Sequence, residues 1–317
     1  MSKKYILHIG SHKTGTTWLQ EFLSANRERL LLNGIDFPLI GRAKHGCQAH
    51  RYFSAYFRGI KNEHPDDFEQ VFAQEISRTE NCIISSEDFY FCSRKNDSME
   101  LIHKKFGKST HIICYLREPC SHILSLYQEV AKNKESCNFQ DFLNLYESQM
   151  KSGSKFSYYN YDNNLDSWYH NFSYVSVVPY CKSQNEMQFA NDFFKSGDIK
   201  IEIENLTYPK RSNVALSVET TLLLVRKNAM HAQGIINQEE NKTFKKIILK
   251  HDQSLKNAIY KKIYYEPIDM SRFYSVFTDI NKKYSKLFTP SSLKIELPNR
   301  LEMEDKEIID LLYSFKL

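Results

Sequence analysis

The stretch His8-Ile-Gly-Ser-His-Lys-Thr-Gly-Thr-Thr-Trp18 joins a short apolar run to a segment with helical spacing. Its glycines, Gly10 and Gly15, let the backbone approach a ligand closely. The N–H groups of the first turn of a helix that begins after Gly15 face an anion. Lys13 adds a full charge, and further donors come from the hydroxyls of Thr14, Thr16 and Thr17. The sequence therefore predicts a phosphate-binding loop between a strand and a helix.

The position of the lysine in this loop argues against nucleoside triphosphate chemistry. A Walker A loop reads G-x-x-x-x-G-K-S/T, with the lysine directly after the second glycine. Here Thr16 follows Gly15, and Lys13 precedes that glycine. A triphosphate would lose the lysine contact to its β- and γ-phosphates. The spacing favours a ligand with one 5′-phosphate that carries a single transferable group.

Four short, nearly continuous apolar runs predict the fold class. Such runs are typical of parallel strands that are covered on both faces, and segments with helical spacing separate them. The pattern predicts an α/β fold with a doubly wound, mainly parallel sheet flanked by helices. We expect one domain over 1–317, with the sheet core in about 1–200 and a helical C-terminal part in about 201–317. The predicted strands are Tyr5–Ile9, Cys82–Ser85, His111–Leu116 and Tyr174–Val178.

A turn and a helix follow the third of these strands. Arg117 stands at the strand end, and an arginine there can direct two hydrogen bonds to a phosphate. Pro119 suits the first turn of a helix, where its missing N–H costs nothing. Ser125 comes about two turns later, so its side chain is expected to face back toward Arg117.

The two motifs together resemble those of sulfotransferases that use 3′-phosphoadenosine 5′-phosphosulfate (PAPS). Lys13-Thr-Gly-Thr-Thr-Trp18 is similar to their 5′-phosphosulfate loop, K-S/T-G-T-T-L/W/S. Their 3′-phosphate is held by an arginine after a strand and a serine on the next helix, which match Arg117 and Ser125. The resemblance implies a P-loop-like fold and PAPS as the donor, with no metal. Segments similar to bacterial members are Gly34–Pro38, Ser85–Phe89, Asn281 and a basic segment near the nucleotide, Lys210-Arg211-Ser-Asn213.

The resemblance also implies roles in an in-line displacement at sulfur. The residues expected to bind PAPS are Lys13, Thr14, Gly15, Thr16, Thr17, Trp18, Arg117, Ser125 and Arg211. Lys13 is expected to stabilise the leaving phosphate oxygen. Members of the family take their base, a histidine or a glutamate, from the segments after the first helix or the second strand. The candidates in this chain are Glu87, His50 and His45.

Two other functions remain open from the residues alone. One is a kinase or NTPase of the P-loop type, which Thr16 disfavours. The other is a non-catalytic nucleotide-binding protein that lacks a competent base. The acceptor is a hydroxylated compound, with a carbohydrate as one candidate because nine aromatic residues lie between Phe156 and Tyr180. The same aromatics also fit the buried face of a helix, formed by Leu165, Trp168, Tyr169 and Phe172.

The composition sets the broad class and the expected location. A net charge of +5, without a clustered basic face, does not indicate a nucleic-acid partner. No apolar run approaches the ~20 residues of a membrane span, and Tyr5–Ile9 is too short for a signal-peptide core. The seven cysteines have neither disulfide-framework nor zinc-site spacing. We expect a cytoplasmic enzyme with reduced thiols.

Overall fold

The computed structural model describes residues 3–42, 48–60, 68–76, 79–133, 136–151, 161–181, 184–210, 216–271, 282 and 294–315. These residues form two compact units. The first contains the described residues up to Glu118, those from 161 to 210, and residue 282. The second contains the described residues from Pro119 to 151 and from 216 to 271, and those from 294 to 315. The expectation of one domain over 1–317 stays a prediction.

A five-stranded parallel sheet forms the centre of the first unit, in the order β2-β3-β1-β4-β5. The chain lays β2 and β3 on one side of β1, then crosses to place β4 and β5 on the other side. The loops at the carboxyl ends of the strands on either side of such a crossing form a crevice in which ligands bind. The strands are β1 Lys4–His8, β2 Ile35–Asp36, β3 Asn81–Ser85, β4 His111–Arg117 and β5 Tyr174–Tyr180.

The helices of the first unit lie between these strands or follow them. They are α1 Thr16–Ala25, α2 Arg27–Leu32, α3 Arg51–Phe57, α4 Phe68–Ile76, α5 Asn96–Phe106, α8 Tyr161–Asn171 and α9 Glu186–Ser196, with a 3₁₀ helix at Glu87–Arg94. The predicted fold class is confirmed, and each of the four predicted strands is present with its ends shifted by at most two residues. The short strand β2 is an addition that the apolar runs did not predict.

Side chains alternate between the two faces of the sheet, and each face is covered. On one face Ile6 and Ile113 join the buried apolar side chains of α1 and α9, such as Phe22 and Phe193. On the other face Tyr5 packs edge-on against Phe106 of α5, with ring centroids 5.1 Å apart. Burial on both faces explains why the strands are almost entirely apolar in sequence.

Helix α8 shows the role of the aromatic-rich segment. Leu165, Trp168 and Phe172 are buried, and the rings of Trp168 and Phe172 stack with centroids 5.6 Å apart. Tyr169, which we also expected on the buried face, is 43% exposed. Two of the three aromatic residues from Trp168 to Phe172 therefore belong to the core.

The second unit is mainly helical. Helix α10 contacts α6, α11, α12 and strand β7. The carboxylate of Asp252 accepts hydrogen bonds from the backbone N–H and hydroxyl of Ser217 and from the hydroxyl of Thr220, which fixes the start of α10. The elements are α6 Pro119–Asn133, α7 Phe139–Lys151, α10 Val218–Ala232, α11 Gln238–Lys250, α12 Asp252–Ile259, a 3₁₀ helix Tyr260–Lys262, β6 Ile263–Asp269, β7 Lys294–Leu301 and α13 Asp305–Ser314.

The antiparallel pair β6–β7 shows that the C-terminal part has a small sheet of its own, although its sequence pattern is mainly helical. Within the described ranges, no helix has both the length and the apolar character to cross a bilayer. Nor do those ranges contain a group of three or more His, Cys, Asp or Glu side chains that could hold a metal ion.

Candidate active site

The loop after β1 is held against β4 by backbone hydrogen bonds. The N–H of Ile9 donates to the carbonyl oxygen of Ile113 at 2.9 Å, and the N–H of Ser11 donates to that of Tyr115 at 3.0 Å. The hydroxyl of Thr14 is buried and donates to the carbonyl oxygen of Ser11 at 2.6 Å. Thr14 therefore braces the loop from within, whereas we expected its hydroxyl to serve the ligand.

Three left-handed residues shape this loop. Gly10 has φ 54°, Lys13 has φ 65° and Gly15 has φ 76°. Only glycine adopts this region without cost, and a non-glycine residue there is strained by about 1–3 kcal/mol. Strain of this kind is often stored at functional sites. Lys13, which the sequence analysis selects for its charge, is thus also a residue with a strained backbone.

Gly10 and Gly15 also provide space. A Cβ atom at Gly10 would lie 3.0 Å from Cγ2 of Thr16 and 3.3 Å from Cβ of Glu87. A Cβ atom at Gly15 would lie 2.8 Å from Cε2 of Tyr180. A side chain at Gly15 would therefore force the Tyr180 ring to move, and one at Gly10 would need its neighbours to shift by a few tenths of an ångström, in addition to the strain of the positive φ.

Helix α1 begins directly after Gly15, which lies at its N-cap without a side-chain cap. The first N–H groups of a helix have no acceptor within the helix and carry the positive end of its dipole. Thr16 is buried and Thr17 is exposed. Trp18 is buried, and its indole N–H donates to the carbonyl oxygen of Pro209 at 2.9 Å. Trp18 thus anchors the helix to the core in this structure.

Arg117, at the end of β4, contacts the same loop. Its Nη1 donates to the carbonyl oxygen of Lys13 at 3.2 Å. Its guanidinium lies 5.8 Å from the ring centroid of Tyr180, the residue paired with it across β4 and β5. The Arg117 guanidinium from the second predicted phosphate motif therefore contacts the backbone of the first one. Tyr180 was missed by the sequence analysis, although its place at the carboxyl end of a strand could have indicated it.

Glu87 lies beside the loop, at the start of the 3₁₀ helix that follows β3. Its carboxylate is partly exposed, and Oε2 accepts a hydrogen bond from Nε2 of Gln20 at 3.2 Å. The closeness of its Cβ to Gly10 sets the side chain at the strand-side end of the loop. A carboxylate in this place can accept a proton from a group that enters the crevice.

His50 lies in a different environment from Glu87. Its side chain is buried, Nε2 donates to the carbonyl oxygen of Pro38 at 2.9 Å, and Nδ1 accepts from the N–H of Ser85 at 3.1 Å. Burial, followed by the charge of Arg42, lowers the pKa of His50 to about 3. Both ring nitrogens are used by the backbone, so the geometry favours Glu87 over His50 as the base.

A third group near the loop was not predicted. Nε2 of His12 lies 3.5 Å from Oδ1 of Asp88, and Nε of Arg51 lies 3.4 Å from Oδ2. Burial by itself raises the pKa of Asp88, but the hydrogen bond and charge of His12 and the charge of Arg51 outweigh it and hold the pKa below its ordinary value. Asp88 thus links the loop to the start of α3.

Two of the remaining predicted residues, Ser125 and Lys210, lie within the described residues. Ser125 is buried on α6, in the second unit. Lys210 is exposed at the end of a described range. Three more predicted positions lie outside the described residues: His45, Arg211 and Asn281. Asn213 of the basic segment also lies outside them.

The fold and the site define an α/β protein whose first strand and first helix are joined by a loop with three left-handed residues, flanked by a carboxylate and an arginine. A scan against protein-family profiles finds no match, and a search of curated proteins finds no relative.

Two solved structures are similar to this chain. A sulfotransferase from Alicyclobacillus acidocaldarius is 11% identical, with 76% of this chain and 100% of that chain covered and a TM-score of 0.44. The mouse sulfotransferase SULT7A1, crystallised with PAP, is 15% identical, with 79% and 85% covered and a TM-score of 0.39. At these identities the similarity says nothing about which reaction this chain catalyses.

Proposed function

We propose that this chain is a sulfotransferase that moves a sulfuryl group from PAPS to an acceptor hydroxyl. The observation that carries the proposal is the hydrogen bond from Arg117 to the carbonyl oxygen of Lys13. It joins the end of β4 to the loop after β1, so residues of two separate motifs, each of which carries a cation, meet at the same edge of the sheet. A nucleotide with a 5′-phosphosulfate and a 3′-phosphate is a ligand that uses two such cations.

The loop itself favours a single 5′-phosphate over a triphosphate. Thr16 occupies the position of the Walker lysine, and its side chain is buried. The only lysine in the loop is Lys13, whose left-handed backbone sets it at the turn before the helix. A kinase or NTPase function therefore lacks the residue that its chemistry needs.

The reaction assigns one task to each side chain. The acceptor oxygen forms a bond to sulfur while the bond from sulfur to the 5′-phosphate oxygen breaks. The acceptor proton passes to the carboxylate of Glu87, the partly exposed base beside Gly10. Lys13 stabilises the negative charge that grows on the leaving phosphate oxygen. Adenosine 3′,5′-bisphosphate is the second product.

Three finer parts of the proposal rest on the resemblance and the sequence. Ser125 and Arg211 are proposed as further contacts to the nucleotide, since each matches a family position. The acceptor is proposed to be a hydroxylated small molecule, with carbohydrates among the candidates. A cytoplasmic location is proposed from the unpaired spacing of the seven cysteines.

The experiment is incubation with PAPS and a panel of glycans, phenols, lipids and peptides, with products identified by mass spectrometry. We expect a sulfated product and adenosine 3′,5′-bisphosphate in equal amounts, and their formation should depend on Lys13. Release of phosphate from ATP and Mg²⁺, with no sulfated product from any acceptor, would overturn the proposal in favour of an NTPase.

A further inference from the structure

A chain of buried polar groups leads from β1 to Glu87. Gln20, on α1, is 4% exposed, and its Nε2 lies 3.2 Å from Oγ of Ser85 and 3.2 Å from Oε2 of Glu87. Oγ of Ser85 in turn lies 2.7 Å from Nδ1 of His8. His8 and Ser85 are fully buried. Such groups persist in a core only when they bond to each other.

The chemistry of these groups fixes the direction of the bonds that Gln20 makes. A carboxylate only accepts, so Gln20 must present its amide nitrogen to Glu87. That nitrogen carries two hydrogens, and the second one reaches Oγ of Ser85. Oγ of Ser85 and Nδ1 of His8 share a further hydrogen bond, whose direction follows the tautomer of the ring.

His8 is the last group in this series of hydrogen-bonded side chains. Burial lowers the pKa of His8 to about 3, so the ring is neutral and Nδ1 can accept. When Nδ1 accepts, the proton of the ring is on Nε2, which has no hydrogen-bond partner among the described residues. The ring instead meets Tyr115 and Phe193 edge-on, with centroids 5.7 Å and 5.9 Å away. In either tautomer the neutral ring keeps its hydrogen bond to Ser85 and leaves the amide of Gln20 to serve Glu87.

We infer that Gln20 is a positioning residue that holds the Glu87 carboxylate in place for proton transfer. The inference rests on the proposed role of Glu87 as the base. A partly exposed glutamate has several rotamers, and fixing one of them removes orientational freedom before the reaction. Because Gln20 lies on the helix that begins at the loop, it ties the base to the element that binds the phosphosulfate.

The alternative is that Gln20 stabilises the fold but does not position Glu87, and the following variants distinguish the two. We expect Gln20→Met, which keeps the length of the side chain but removes the donor, to lower kcat about tenfold or more, the value of one hydrogen bond to a charged group. The KM for PAPS should stay unchanged, because the amide of Gln20 is buried and bonded to Ser85 and Glu87. A matched control is Gln188→Met: exposed Gln188 also donates to a carboxylate, that of Asp192 at 2.7 Å, and its loss should leave kcat at the parent value.

The decisive comparison repeats the substitution in a Glu87→Asp background. Aspartate is one methylene shorter, so its oxygens withdraw from Gln20 while a weaker base remains. We expect Gln20→Met to cost less than about twofold there, since interacting residues are not additive. An equal loss in both backgrounds, or no loss in the parent, would overturn the inference and leave Glu87 as the base. A parental rate for Glu87→Gln, which has no carboxylate, would instead contradict the proposed base.

A second variant covers the case in which Gln20→Met does not fold. Gln20→Asn keeps an amide for Ser85 but is too short to reach Glu87, so it should reproduce the loss of kcat. Folding is checked by the thermal shift with adenosine 3′,5′-bisphosphate, which should equal that of the parent. A parental kcat for folded Gln20→Asn would count against the inference.

Discussion

Gly15 lies so close to Tyr180 that a Cβ atom at residue 15 would stand 2.8 Å from Cε2 of the ring and 3.2 Å from Cε1 of Phe189. The rings of Tyr180 and Phe189 therefore pack against the turn that leads into α1. Since β5 supplies Tyr180 and α9 supplies Phe189, the loop is shaped by elements far along the chain.

Gly15→Ala should destabilise the protein and abolish nucleotide binding, because it adds this contact to the strain of φ 76°. Gly34→Ala is the matched control, since Gly34 has φ 71° and a Cβ there would meet nothing within 4 Å. We expect Gly34→Ala to lose only the backbone term of about 1 kcal/mol, measured by urea unfolding. Equal losses for the two variants would show that the contact with Tyr180 has no effect.

Two substitutions at Lys13 separate its charge from its backbone. Lys13→Ala and Lys13→Gly should both lower the transfer rate by about 10²–10³, the typical loss for one group that stabilises developing charge. Lys13→Gly should also be more stable than Lys13→Ala by about 1 kcal/mol or more, since it alone relieves the strain at φ 65°. Rates come from the PAPS assay and stabilities from urea unfolding. A normal rate with weakened nucleotide binding would make Lys13 a binding residue only.

Glu87→Gln should slow transfer by about 10²–10⁴, because the amide keeps the shape of the side chain but cannot take the acceptor proton. Its affinity for adenosine 3′,5′-bisphosphate, measured by calorimetry, should equal that of the parent. His50→Gln tests the other candidate, and we expect its rate per folded molecule to be close to the parent value. A loss of rate at His50 with none at Glu87 would reverse the assignment.

The buried histidines predict how stability depends on pH. Burial lowers the pKa of both His8 and His50 to about 3, from an ordinary value of 6.5. Between these values the unfolded chain binds protons that the folded chain does not, so stability falls as the pH drops below 6.5. Each histidine contributes about 1.4 kcal/mol per pH unit in this window.

Replacing one of these two histidines should therefore make the free energy of unfolding depend less steeply on pH. We expect the free energy of unfolding of His50→Gln, followed by urea titration between pH 6.5 and 5, to fall less steeply than that of the parent by about 1.4 kcal/mol per pH unit. Parallel curves for the two proteins would show that His50 is protonated in the folded state.

The loop between β1 and α1 and the place of Arg117 at the end of β4 could be predicted from the sequence because each depends on a few consecutive residues. Glycines, a lysine and an apolar run are visible in order, and the strand that ends at Arg117 is nearly continuous. Strand β2, with only Ile35 and Asp36, has no pattern of its own and exists through its pairing with β3.

The arrangement around the base could not be predicted in the same way. Gln20 and Glu87 are 67 positions apart, and nothing near either residue indicates the bond between them. The sequence marks His50 as an ionisable group after the first helix. Only the packing shows that the backbone at Pro38 and Ser85 takes both of its ring nitrogens.

The most direct test of a PAPS-binding site is calorimetry with adenosine 3′,5′-bisphosphate and with AMP. The two ligands differ only in the 3′-phosphate, which we assign to Arg117. Charged hydrogen bonds of this kind contribute about 1.5–3 kcal/mol, so the bisphosphate should bind roughly ten- to a hundredfold more tightly. Equal affinities for the two nucleotides, or tighter binding of ATP with Mg²⁺, would contradict the account.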